Sequence, residues 1–214
     1  MACLHKFHNE LYLEGLDYEP TTLIVGTFNP IWPVENAAEW FYGRTHDQHG
    51  NQNNNFWEVL PRLYGEESLI NGTPAEWKSF CKRNLIAITD LIYCIEDAEE
   101  DNPDHVEYLR SYSDKNIASK FAQHVCVNCV QLIDKYPSIQ NIYLTRSTDE
   151  SFWKRLWRPV VQLAIARGIT EKKLMTPSGY AYYQQGTYNK ANPNNQLNLP
   201  DYILMRWEQV WHPI

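Results

Sequence analysis

Thr21 to Phe28 (TTLIVGTF) is an unbroken apolar run rich in β-branched residues, and such a run belongs to a strand covered on both faces. It stops at Asn29-Pro30, a pair that favours a turn. Working outward, Leu85 to Thr89 (LIAIT) repeats the pattern and runs into Asp90, Ile139 to Leu144 (IQNIYL) is a third strand, and a fourth begins at Lys173 to Met175. Between them the spacing predicts helices. Asn54 to Tyr64 carries Phe56, Trp57, Leu60 and Leu63 on one face, and Pro74 to Arg83 starts behind Thr73 as an N-cap with proline at the first helical position. Further helices are expected over Lys115 to Lys135, over Asp149 to Arg167 with Trp153 and Trp157 one turn apart, and over Pro200 to Trp211.

Strands alternating with helices of this length predict an α/β fold, a three-layer α/β/α sandwich around a central, mostly parallel four-stranded sheet with right-handed crossovers. A length of 214 residues suits a single domain; residues 1–20 read as an N-terminal extension to it. Hydrophobic residues at 43% and charged residues at 21% exclude a disordered chain. No apolar run reaches the length of a membrane span, and the charged opening MACLHKFHNELYLEG has no signal-like apolar core, so a cytoplasmic protein is expected.

Nineteen basic against 26 acidic side chains give a net charge of −7, which argues against a protein that coats nucleic acid by charge alone but leaves room for a local basic face. Five cysteines, an odd number, make a disulfide framework improbable. His124, Cys126 and Cys129 invite a zinc reading. The same residues fit the expected helix over Lys115 to Lys135, with both cysteines as small buried members of its apolar stripe. The acidic run Glu96 to Asp104 (EDAEEDNPD) invites a magnesium-nuclease reading but, interrupted by Pro103, resembles a solvated loop. The nine glycines are scattered, without a Walker or dinucleotide fingerprint.

Two long polar loops, Arg44 to Asn55 and Gln184 to Leu199, lack a packing purpose, and loops of that length commonly serve a site. In an open parallel sheet the site lies beyond the carboxyl ends of the strands. Asn29-Pro30, Asp90, Thr145-Arg146 and Thr176-Pro177-Ser178-Gly179 are therefore expected to converge on one crevice.

Those turns carry a resemblance. Gly26-Thr27-Phe28-Asn29-Pro30, followed by Phe41-Tyr42-Gly43 and Asn54-Asn55-Phe56-Trp57, looks like the opening motif of the uracil-DNA glycosylase superfamily, with the mismatch-specific and hypoxanthine-type branches most similar. Thr176-Pro177-Ser178-Gly179 resembles its second motif, a turn ahead of a side chain that wedges into DNA. Ile88 to Cys94, with Asp90 after the strand, is similar to the hypoxanthine-type branch. The motifs lie in the family's order from Thr21 to about Tyr182.

The resemblance implies a monofunctional DNA glycosylase that uses neither metal nor cofactor, acts as a monomer and removes a deaminated or mispaired base from DNA. Asn29 and Ser178 would be catalytic. An asparagine amide can hold a water through a donor and an acceptor but, unlike an aspartate, cannot take its proton. Tyr42, with Phe41 as the alternative, would stack on the flipped base. Asp90 would read the base edge as an acceptor, which disfavours strict uracil specificity. Gly26, Thr27, Pro30, Asn55, Thr176 and Gly179 complete the expected substrate contacts, although many relatives have His or Asn where this chain has Thr176. Arg44, Arg146, Lys172, Lys173, Tyr180 and Tyr182 are the expected DNA contacts. Two other readings stand beside this one: a weakly active or inactive domain of the same fold that binds nucleic acid or a partner, and a hydrolase of small N-glycosides.

Overall fold

The computed structural model describes residues 1–32, 36–47 and 49–212. In chain order the first half consists of β1 (Cys3–Leu4), β2 (Thr22–Gly26), α1 (Phe56–Leu63), α2 (Pro74–Arg83), β3 (Ile86–Asp90), β4 (Ile92–Ile95), α3 (Pro103–Arg110) and α4 (Asp114–Lys120). The second half consists of β5 (His124–Cys126), α5 (Cys129–Lys135), β6 (Asn141–Leu144), α6 (Ser151–Arg167), β7 (Thr170–Lys173), α7 (Tyr182–Ala191) and α8 (Leu199–Glu208).

The three apolar runs become β2, β3 and β6, each buried at every position. With β7 they form a four-stranded sheet in the order β3-β2-β6-β7, parallel throughout and flanked by helices. The expected α/β architecture is therefore present. Gly26 lies opposite Asp90, Val25 opposite Leu144 and Leu144 opposite Lys173, so the carboxyl ends of all four strands meet at one edge. The fourth strand begins earlier than its sequence suggests. Gly168, in the left-handed conformation at φ 68°, caps α6, and the chain pairs with β6 from Thr170. β7 reads TEKK because it is an edge strand with half its residues in solvent.

The helix starting at Pro74 is as expected, with a capping box in which Glu76 N–H donates to the Thr73 hydroxyl and Thr73 N–H to the Glu76 carboxylate. The expected long helix Lys115 to Lys135 is instead α4, β5 and α5. The β-branched stretch around Val125 pairs antiparallel with β4, and Asn128 accepts from Gln131 N–H to start a new helix. Cys126 accordingly lies in a strand and Cys129 opens a helix, so the two do not share a stripe. Pro103, read as an interruption of a loop, opens α3 behind Asn102, which caps it. Much of the Gln184 to Leu199 stretch is helical too, and Gln185 and Asn189 bind Leu197 to fold the remaining loop back.

The N-terminal residues are not an extension. β1 pairs with β4 in a second, three-stranded antiparallel sheet. Cys3, His5 and Leu11 are wholly buried. Thr89 and Tyr136 donate hydrogen bonds to the Leu11 and Leu13 carbonyls, which fastens this segment to the sheet and to the end of α5. Trp57, Trp153, Trp157 and Trp207, all on helices, are among the largest fully buried side chains. Among the described residues no helix is long and apolar enough to cross a membrane.

Candidate functional site

The strand-end turns converge on a cavity of about 170 Å³. That is below the roughly 300–1,000 Å³ of pockets for drug-sized ligands and suits a single ring system. Two wider clefts lie elsewhere. One is at the amino ends of β6 and β7, around Asn141 and Thr170, and the other lies between the N-terminal segment and α2.

Gly26 ends β2 at the floor of the cavity. A Cβ there would come within 2.1 Å of Asp90 Oδ1 and 2.7 Å of Tyr42 Oη. Only the missing side chain lets both groups lie over the strand end. Tyr42 adopts φ 57°, stacks on Phe56 at a centroid distance of 3.8 Å and an interplanar angle of 4°, and shares a 2.9 Å hydrogen bond with Thr145 Oγ1. Burial pushes its phenol well up, and the charge of Asp90 adds to this.

Asp90 is 6% exposed, and its Oδ2 lies 2.7 Å from His5 Nε2. Phe7 N–H donates to His5 Nδ1 at 2.9 Å, so Nδ1 is an acceptor and the ring proton sits on Nε2, donated to Asp90. His5 thus holds one carboxylate oxygen and leaves Oδ1 against Gly26 and the cavity.

Asn29 is also oriented. Asn36 accepts from Ala38 N–H and donates to Pro30 O and to Asn29 Oδ1. Asn29 lines the cavity with its carbonyl held by Asn36. The amide keeps its donors and one acceptor site for a water.

A second carboxylate lies where no motif predicted one. Asp114, the first residue of α4, accepts from Thr27 Oγ1 at 2.7 Å and pairs with Arg146 Nη1 at 2.9 Å through its other oxygen. Burial raises its pKa, the Arg146 charge and the Thr27 hydroxyl lower it, and Asp90 and Glu150 raise it further, leaving it net raised. Its side chain is nevertheless 32% exposed, against 8% for Asp90. The only local signal in sequence is Ser113, which caps α4 by accepting from Asn116 N–H; the partners of Asp114 are distant in the chain.

In the last turn the Thr176 and Ser178 hydroxyls share a 2.9 Å hydrogen bond, and Ser178 N–H donates to Thr176 Oγ1. Asn55 does not face the cavity. Its backbone N–H and its Nδ2 both donate to Pro177 O, at 2.7 and 3.0 Å, so it pins this turn from behind while Asn54 lines the space. Phe41 is core, 2% exposed and packed on His5 and Trp40. Pro30 is buried and bridges to His5.

The two arginines differ from expectation. Arg146 is 10% exposed, tied to Asp114 and lying over Trp153. Arg44 lines the cavity with its guanidinium 3.4 Å over the Tyr112 ring. Lys172 and Lys173 are exposed at the end of β7, and Gly179 opens a 3₁₀ turn that carries Tyr180 into solvent. Tyr180, Tyr182 and Tyr183 are 70%, 63% and 75% exposed; Tyr183, next to expected contacts, is the one not anticipated.

No family model and no curated protein matches the chain. Among solved structures it is similar to a solution NMR structure described as "a putative Uracil DNA glycosylase from Methanosarcina acetivorans", with 17% identity, a TM-score of 0.51, and coverage of 92% of this chain and 94% of that one. The likeness is one of fold. It extends across 92% of this chain.

Proposed function

We propose that this chain is a DNA glycosylase of the mismatch-specific or hypoxanthine-type kind, hydrolysing the N-glycosidic bond of a deaminated or mispaired base flipped out of DNA. The observation that carries the reading is a ring-sized cavity at the carboxyl ends of the parallel strands, lined by Asn29, Tyr42, Asp90 and Ser178 and flanked by exposed tyrosines. Tyr42, rigid on Phe56, serves as the stacking platform. Asp90 Oδ1, left free of His5, accepts an N–H from the base, which hypoxanthine, xanthine and uracil each supply, so this contact does not restrict the site to uracil. The NH₂ of Asn29 and the Ser178 hydroxyl donate to the water or to the base as negative charge moves onto it. Tyr180 or Tyr182 fills the gap left in the duplex, with Lys172 and Lys173 against phosphates.

A non-cleaving nucleic-acid-binding domain is the second reading, favoured by Thr176, whose hydroxyl is spent on Ser178 and offers the leaving base neither charge nor imidazole. One assay separates them. Duplex and single-stranded oligonucleotides bearing hypoxanthine, xanthine, uracil or a G·T mismatch are incubated with the protein and treated with alkali. Strand scission at one lesion is expected. DNA binding without scission at any of them overturns the glycosylase reading and leaves the second.

A further inference from the structure

Resting on the glycosylase reading, we infer that Asp114 is the catalytic base that takes the proton of the attacking water. Hydrolysis at the sugar carbon needs a water whose oxygen bonds to C1′ as the C1′–N bond breaks and its electron pair leaves with the base; the surplus water proton must go somewhere. Asn29 cannot accept it, because an amide is not basic enough to take a proton. Two carboxylates line the cavity among the described residues, Asp90 and Asp114. Asp90 is nearly sealed, with one oxygen on His5 and the other against Gly26, a setting suited to reading a base edge. Asp114 is the one that water reaches.

Its geometry supports the role. Thr27, two residues before Asn29 on the same turn, donates to Oδ1, and Arg146 holds Oδ2. Each oxygen keeps a free acceptor site, and the Thr27 hydrogen bond with the Arg146 ion pair fixes the carboxylate in orientation. Arg146, itself anchored by a 2.7 Å hydrogen bond from Nε to Ser147 O and lying over Trp153, is a positioning residue here. The charges around Asp114 are Arg146 and Glu150 beyond β6 and Asp90 at the end of β3; the Tyr42 phenol and Arg44 share the cavity. The balance of these and of burial raises the carboxyl above its ordinary value, toward the operating pH at which a general base works best. After the step the proton sits on Asp114, the hydroxyl on C1′ and the base anion is free to be protonated by solvent.

The test is single-turnover cleavage of the best substrate from pH 5 to 9 by the wild type, Asp114→Asn and Thr27→Val, with DNA affinity measured alongside. For Asp114→Asn a fall of about 10²- to 10⁴-fold in rate is expected, with affinity within threefold and the acid limb of the pH profile gone. Thr27→Val removes a hydrogen bond to the ionised form, so its acid limb moves to higher pH. This variant decides the matter if Asp114→Asn does not fold. A wild type that cleaves, with Asp114→Asn within threefold of it or with the acid limb unmoved in both variants, overturns the inference and leaves the glycosylase reading standing. A wild type that cleaves nothing overturns the glycosylase reading itself, and the inference falls with it.

Discussion

Replacing His5 by alanine tests whether the N-terminal segment belongs to the site. The imidazole is wholly buried and surrounded by the rings of Phe7, Phe28 and Phe41 at 5.7–5.8 Å. Its removal strands Asp90 Oδ2 in an apolar shell with no donor. Breaking one side of a buried charged hydrogen bond costs about 3–5 kcal/mol, which for a chain of this size lowers Tm by roughly 6–20 °C. Asp90→Asn is the control, because an amide oxygen still accepts from Nε2–H; its loss is about 1 kcal/mol. In the double variant neither an unpaired carboxylate nor an unpaired imidazole remains, so its loss falls short of the sum of the singles by about 1–3 kcal/mol. Urea and thermal unfolding at pH 7 of the four proteins measure this directly. A His5→Ala loss below about 1 kcal/mol, or strictly additive losses, refutes the claim that His5 and Asp90 are one buried unit.

Gly26→Ala places a methyl group against Asp90 and Tyr42; a stability loss of about 1–3 kcal/mol is expected from overpacking, with cleavage abolished, and wild-type activity would contradict the close approach. Tyr180→Ala and Tyr182→Ala are each expected to leave Tm unchanged and weaken DNA binding by about 1–3 kcal/mol, roughly 5- to 150-fold in Kd, read by fluorescence anisotropy. Because the Asp114 carboxyl titrates higher folded than unfolded, its contribution to stability is complete below the unfolded value and is lost as pH rises through the folded one. Asp114→Asn cannot ionise and escapes that loss, so its stability relative to the wild type is expected to be more favourable at pH 7 than at pH 3, which unfolding at the two pH values checks. Thr73→Ala breaks the capping box and should lose about 0.5–2 kcal/mol in the same assay with no change in cleavage rate.

What could be read from the chain depended on how local the physics was. β2, β3 and β6 were legible because strands buried on both faces must be continuously apolar, and α2 was legible because its cap, its first-turn proline and its Glu76 are all within a few residues. β7 was misplaced because an edge strand of Thr, Glu and Lys carries no such signal. β5 was read as helix because three residues have too short a period to distinguish; its strand character comes from β4, some thirty positions earlier. The site divides the same way. Asn29, Asp90 and Ser178 follow strands or end them and could be expected at one crevice, which they line, whereas Asp114 owes its setting to Thr27, 87 positions away, and to Arg146. His5 was missed for the same reason, its partner lying 85 positions on.

The net charge of −7 also looks different once it is located. Residues 96–107 hold seven Asp or Glu and no Lys or Arg, leaving 19 acidic against 19 basic side chains in the rest of the chain. Residues 172–200, which include the Thr176–Ser178 wall of the cavity and the exposed tyrosines, hold Lys172, Lys173 and Lys190 and no acid. That segment is therefore basic on its own account, but thinly so, and the two arginines nearest the crevice are spent on Tyr112 and Asp114. Each phosphate neutralised contributes close to one unit to the slope of log K against log salt concentration, so a segment with three lysines predicts a shallow slope. On the proposed function, stacking by Tyr180, Tyr182 and Tyr183 carries the larger share of DNA affinity, which is why a chain with an acidic balance can serve a DNA site without a strongly basic face.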